Sequence, residues 1–306
     1  MIKEMLQKIE ENGYKYSLVS VNHLKNLQLE LENRHKEGLF DEEFYQERIL
    51  RHNFNYEESF PEAKSIIIVA IPDPQYEVTF NIRRKRYPLR VPPTYMFYQK
   101  TWKKINEVLN SILHKEGFRA VKANLPLKSL SVHSGLAKYG RNNITYVPGM
   151  GSFHVLAAFY TDLPCEEENW KEYELEETCK KCSACLRNCP TGAISSDRFL
   201  LFAEKCLSYL NEKPGNIPFP ERVDPSWHNC LVGCTVCQLV CPLNKEHKNW
   251  IEKGLEFSEE ETKQFLQGLT LEEFSLTTKN KLLETELDEY LDTFPRNLNV
   301  LIRSKE

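Results

Sequence analysis

Cys179-Lys-Lys-Cys182-Ser-Ala-Cys185-Leu-Arg-Asn-Cys189-Pro190 decides how this chain folds. The spacing C-x2-C-x2-C-x3-C-P wraps a 4Fe-4S cluster: three thiolates on one tight loop reach three corners of a cubane, and the cysteine before proline is carried away toward a second cluster. A partner run is therefore expected. It reads Cys234-Thr-Val-Cys237-Gln-Leu-Val-Cys241-Pro242, with Cys206 and Cys230 upstream as candidates for the remaining ligand. A zinc ribbon also uses C-x2-C pairs, but a four-ligand site has no use for a third cysteine or for two C-x3-C-P ends.

Working outward, the 306 residues exceed a typical single domain, and 41% hydrophobic with 27% charged content is ordinary for a soluble globular protein. A net charge of -4 argues against a surface that wraps nucleic acid by overall charge. None of the ten cysteines lies before Cys165, a distribution unlike a disulfide framework. No stretch approaches the roughly 18 apolar residues of a membrane span, and the charged, amphipathic start lacks a signal-peptide core. These features predict a reducing, cytoplasmic location without membrane partners.

Along the chain, residues 1 to 13 have helical spacing and end at Gly13, and Tyr16 to Val21 reads as a strand. Leu24 to Phe54 is charged and helical in pattern. Ser65-Ile-Ile-Ile-Val-Ala-Ile71 predicts a central strand buried on both faces. Ile82 to Arg90 holds five basic residues in nine positions and reads as a loop, solvated or aimed at phosphates. Tyr95 to Lys115 predicts a helix, Gly117 to Val121 a strand, and the next helix ends at Gly135. Two glycine loops, around Gly140 and Gly151, precede a strand from His154 to Tyr160. Glu166 to Glu177 carries seven carboxylates and reads as an acidic linker. Phe199 to Leu210 reads as a helix bearing Cys206, and the chain after Cys241 as helical and acidic, with 12 Asp or Glu against 4 Lys over residues 252 to 292.

Taken together, several stretches resemble the epoxyqueuosine reductase family, related to the reductive dehalogenases. They are Gly135-Leu-Ala-x-x-Gly140, Gly151-Ser152-Phe153, Thr161-Asp162-Leu163-Pro164, the first cysteine run, Lys205-Cys206-Leu-Ser-Tyr-Leu210, Gly-Asn-Ile-Pro218 and Gly233-Cys234-x-x-Cys237-Gln-x-x-Cys241-Pro-x-Asn244. The resemblance covers roughly residues 60 to 250. It implies an α+β architecture: a nitroreductase-like α/β cobalamin and substrate domain over 1–165, a ferredoxin-like domain with two 4Fe-4S clusters over 166–250, and a short acidic helical C-terminal extension over 251–306. It further implies that Cys179, Cys182, Cys185 and Cys241 bind one cluster, and Cys189, Cys206, Cys234 and Cys237 the other, leaving Cys165 and Cys230 over. Base-off cobalamin would be cradled by Gly140, Arg141, Asn142, Asn143, Gly151, Ser152 and Phe153, with Ser208 and Tyr209 near the clusters.

The implied activity is that of an oxidoreductase, a cobalamin-dependent reductase. Electrons from an external donor such as a ferredoxin or flavodoxin pass through both clusters to the corrinoid, which reduces an unidentified small-molecule substrate. Two departures from the family bear on this. Its tRNA enzymes carry an aspartate shortly before the Gly-Leu motif, whereas Val121 to Ser134 contains no Asp or Glu. Asn124 lies nearest that position and can hydrogen-bond but cannot act as an acid, which leaves His133, Tyr139 and Tyr146 as candidate proton donors. The acidic C-terminal stretch repels phosphate and argues against a tRNA substrate, while the basic stretch from Arg83 to Arg90 favours one. The alternatives are an electron-transfer or corrinoid-reducing protein with no organic substrate, and a true epoxyqueuosine reductase acting on tRNA.

Overall fold

The computed structural model describes residues 2–166 and 169–305, with side chains from residue 5 onward. In chain order the strands are β1 (Lys15–Ser20), β2 (Ser65–Pro72), β3 (Gln75–Ile82), β4 (Lys85–Val91), β5 (Ala120–Lys122), β6 (Lys138–Tyr139), β7 (Thr145–Tyr146), β8 (His154–Thr161) and β9 (Ile251–Phe257). The α-helices are α1 (Ile2–Glu11), α2 (Leu24–Lys36), α3 (Glu42–Phe44), α4 (Tyr98–Leu113), α5 (Leu127–His133), α6 (Ala184–Asn188), α7 (Leu207–Glu212), α8 (Val236–Leu239), α9 (Glu259–Gln267), α10 (Leu276–Thr285) and α11 (Phe294–Arg303). The chain divides into two compact units, one of residues 1–72, 100–183 and 196–201, the other of 73–99, 184–195 and 202–306. Both are discontinuous in sequence, unlike the linear segments expected.

The first unit is built on β2. Its β-branched run is buried from Ser65 to Ile71, as expected, although its neighbours β1 and β8 are both antiparallel to it in a sheet ordered β1-β2-β8-β5. Alternation sends Ile66, Ile68 and Ala70 into a core with Leu27 of α2 and Leu130 of α5. On β8, the ring of Phe159 meets Trp102 of α4 at 5.4 Å between centroids. The acidic stretch is an ordered strap: Trp170 stacks on His23 and on His133, and the Lys171 and Glu176 amides donate to the carbonyls of His133 and Tyr139. Glu167 and Glu168 of that run lie outside the described residues.

In the second unit the sheet runs β4-β3-β9. The basic stretch expected as a loop is here the hairpin β3–β4. Its turn residues, Arg83 and Arg84, both have positive φ (50° and 61°), the backbone a two-residue hairpin needs and normally takes from Asn-Gly. The C-terminal stretch opens with a strand, not a helix. β9 pairs parallel to β3, and Phe257 on it joins Phe80, Phe265 and Phe294 in an aromatic core. A capping box, Ser258 with Glu261, starts α9, and Gly268 in the left-handed region ends it. Residues 251–306 thus supply core to this unit and are no appended tail.

Candidate functional site

Cys206 does not sit inside a helix as expected; it is the N-cap of α7. That position places its sulfur beside the first-turn amides of Ser208 and Tyr209, which favour the thiolate. Burial, together with Cys234 and Cys189 nearby, pushes its thiol up to about 11. Cys234 is likewise raised, by burial first and with Cys189 again contributing, against the Asn229 side-chain amide, which donates to its sulfur at 3.2 Å, and the Val236 amide. Cys189, Cys206 and Cys234 of the second unit are therefore close enough to act on one another. Cys237 lies in α8, which packs on α6.

Among the described residues no group of three or more His, Cys, Asp or Glu closes as ligands of a single metal ion do. A cubane spreads its thiolates over separate corners, and half-buried thiols that face N–H donors suit the anionic sulfurs of such a cluster. The donor set fits the group. All ten cysteines are free thiols. Cys230 is fully buried, bonds Asn229 and Thr235 with its sulfur, and is pushed up to about 12 by burial and by Cys234.

The residues expected to cradle a corrinoid are engaged within the protein. Gly140 opens the turn between β6 and β7, where a Cβ would lie 2.4 Å from the Tyr146 ring, so the space its missing side chain leaves is already filled. Asn142 donates to the Tyr146 hydroxyl at 3.0 Å, and Asn143 holds a left-handed backbone (φ 60°). Arg141 turns to the first cysteine loop: Nη2 donates to the Cys179 carbonyl at 2.8 Å and Nε to the Cys182 carbonyl at 3.2 Å. In the second glycine loop the Gly151 carbonyl accepts from the Val147 amide and from the buried His154 ring, while Ser152 and Phe153 are buried. Ser208 bonds the Tyr95 hydroxyl, and the Tyr209 ring is covered by Lys213. Apart from the half-buried Asn143, these side chains are bonded or buried within the protein and do not by themselves fit a corrinoid.

The proton-donor candidates are held as firmly. His133 has both ring nitrogens engaged, with the Lys171 carbonyl at 2.6 Å and Glu30 at 2.5 Å; burial alone would lower its pKa, but these two partners outweigh it and raise it. Tyr139 is buried, which pushes it up to about 12, and meets the Ser129 hydroxyl at 3.1 Å. Tyr146 is buried under Asn142, and the Asn124 side chain donates to the Arg51 carbonyl at 2.7 Å. An acid that sequence reading passed over is Asp73 of the second unit. Burial pushes it up to about 7 while it accepts from the Thr94 amide at 2.7 Å. Its only trace in the sequence is the turn Pro72-Asp73-Pro74 after an apolar strand.

Residues 178–244 match the family model of the 4Fe-4S double cluster binding domain. The epoxyqueuosine reductase of Escherichia coli (strain K12) is 34% identical over 146 residues, 47% of this chain and 37% of that protein. Over that stretch the chain is similar to epoxyqueuosine reductases. It spans little more than a third of that curated relative's length. The structure of epoxyqueuosine reductase from Streptococcus thermophilus aligns with a TM-score of 0.70 at 20% identity, covering 100% of this chain and 81% of that one. A structure of epoxyqueuosine reductase with a tRNA-Tyr epoxyqueuosine-modified tRNA stem loop aligns at 0.66 and 20% identity, covering 99% and 80%. At such identity the likeness shows a shared mixed helix and strand fold. No helix among the described residues is long and apolar enough to cross a membrane.

Proposed function

We propose that this chain is an iron-sulfur oxidoreductase of the epoxyqueuosine reductase type that reduces an epoxyqueuosine-bearing tRNA. The named relatives support that substrate better than an unidentified small molecule. The observation that carries the redox role is the mutual approach of Cys189, Cys206 and Cys234 within a segment that matches a double-cluster domain. By the family resemblance Cys237 completes that set, and Cys179, Cys182, Cys185 and Cys241 hold the other cluster. An external one-electron donor, a ferredoxin or flavodoxin, would feed them in a reducing cytoplasm. Cobalamin belongs to this reading through the family resemblance; when bound, it supplies a reducible cobalt. The chain's own part is to hold the cysteines, exclude water and deliver a proton.

Reconstituted protein is expected to carry two clusters, and its expression is expected to restore queuosine in a strain lacking the reductase. Full clusters without rescue would remove the tRNA substrate. One observation favours a second reading, an electron-transfer protein with no organic substrate: every candidate acid near the glycine loops is already bonded, and none is a carboxylate. Rescue by the chain would in turn dismiss that reading.

A further inference from the structure

The turn between β6 and β7 is a rigid mount. The Gly140 amide donates to the Ile144 carbonyl at 2.7 Å, the Asn143 amide to the Gly140 carbonyl at 3.0 Å, and the Tyr146 ring fills the space beside Gly140. The side chain that leaves this mount is Arg141, and its fork closes on the carbonyls of Cys179 and Cys182, the first two cysteines of the run. A guanidinium presents parallel donors in a fixed plane, so two bonds to carbonyls three residues apart fix the separation of those cysteines. Lys180 of the same loop is exposed and pairs instead with Glu177 at 2.9 Å.

We propose that Arg141 is the positioning residue of the Cys179–Cys182 pair and that its charge sets the electron affinity of the cluster held there. The proposal rests on the iron-sulfur reading above. A cluster gains a negative charge on reduction, and a cation one peptide away from two of its ligands stabilises the reduced form more than the oxidised one. Because the guanidinium is pinned by two hydrogen bonds, it cannot swing into solvent to be screened.

The test is an anaerobic redox titration of the reconstituted full-length protein, followed by electron paramagnetic resonance, for wild type, Arg141→Gln and Arg141→Lys. Arg141→Gln is expected to lower the reduced-to-oxidised ratio of one cluster about tenfold at a fixed potential, about 59 mV for one electron, while the other cluster stays put. Arg141→Lys, which keeps the charge but loses the fork, is expected to recover most of the potential with an altered line shape. Loss of one cluster's iron in Arg141→Gln supports the positioning role, and the potential is then read on Arg141→Lys. Two clusters with unchanged potentials and spectra in both variants overturn the proposal. Failure of the underlying reading looks different: Cys182→Ala would then leave the iron content of the otherwise wild-type protein unchanged.

Discussion

Arg296→Met removes one side chain from α11 and should loosen the loop that follows α7. The Arg296 guanidinium donates to the carbonyls of Ile217 at 2.7 Å, Lys213 at 3.0 Å, Leu210 and Asn211 at 3.1 Å, and Pro214 at 3.2 Å, and it lies 4.2 Å from the Phe219 ring centre. Burial, partly offset by Asp292, pulls its pKa to about 10, so it is charged at neutral pH. Five acceptors share the four hydrogens of two nitrogens, so the bonds do not count singly. Charge-assisted bonds are each worth about 1.5–3 kcal/mol, and water can reach part of this group, so a loss of about 2–4 kcal/mol is expected. For a unit of this size, that corresponds to an apparent melting point lower by roughly 5–12 °C. The assay is thermal unfolding of reconstituted protein followed by circular dichroism, with Arg296→Lys as control; lysine keeps the charge but not the fork and should recover less than half the loss. A fall of under about 2 °C for Arg296→Met would refute the claim that this clamp holds the segment between Cys206 and Cys234.

Cys206→Ala is expected to abolish one cluster, halving the bound iron, whereas Cys230→Ala should leave iron unchanged and lower only the melting point; iron analysis after gel filtration separates the two, and equal losses would make Cys230 a ligand. A Cβ on Gly215 would lie 1.8 Å from the Asp292 carbonyl, so Gly215→Ala must move backbone and should destabilise by about 1–3 kcal/mol in urea unfolding; an unperturbed midpoint would contradict the packing. His154 is buried, meeting the Gly151 carbonyl at 3.2 Å and the Thr145 hydroxyl at 3.1 Å as a neutral ring, and burial pulls it to about 4. An unfolded histidine titrates near 6.5, so its contribution is whole above about pH 6.5 and is lost as pH falls toward 4, up to about 3 kcal/mol. His154→Gln should flatten the melting-point slope between about pH 6.5 and pH 5, and parallel slopes for the two proteins would count against it.

Where interactions are local, the amino-acid order was enough. Cluster-forming cysteines repeat within a few residues of one another, so their spacing is a statement about loop geometry, and the apolar run from Ser65 to Ile71 announced a central strand because no solvated segment tolerates it. Gly13 and Gly135 end α1 and α5 with positive φ as read. The errors lie where long-range partners override local pattern. Arg83 and Arg84 form a hairpin turn without its usual Asn-Gly because β4 and β9 flank β3, and the acidic 251–257 becomes a strand because β3 offers an edge more than 170 residues away in the chain. No pattern along the sequence tells Arg141 to face Cys179 and Cys182 instead of a ligand, or Arg296 to reach the carbonyls of residues 210 to 217. Ligand type and spacing are covalent facts that travel with the chain. The direction of a long cation is chosen only when folding strips water from distant carbonyls and leaves them in need of a donor.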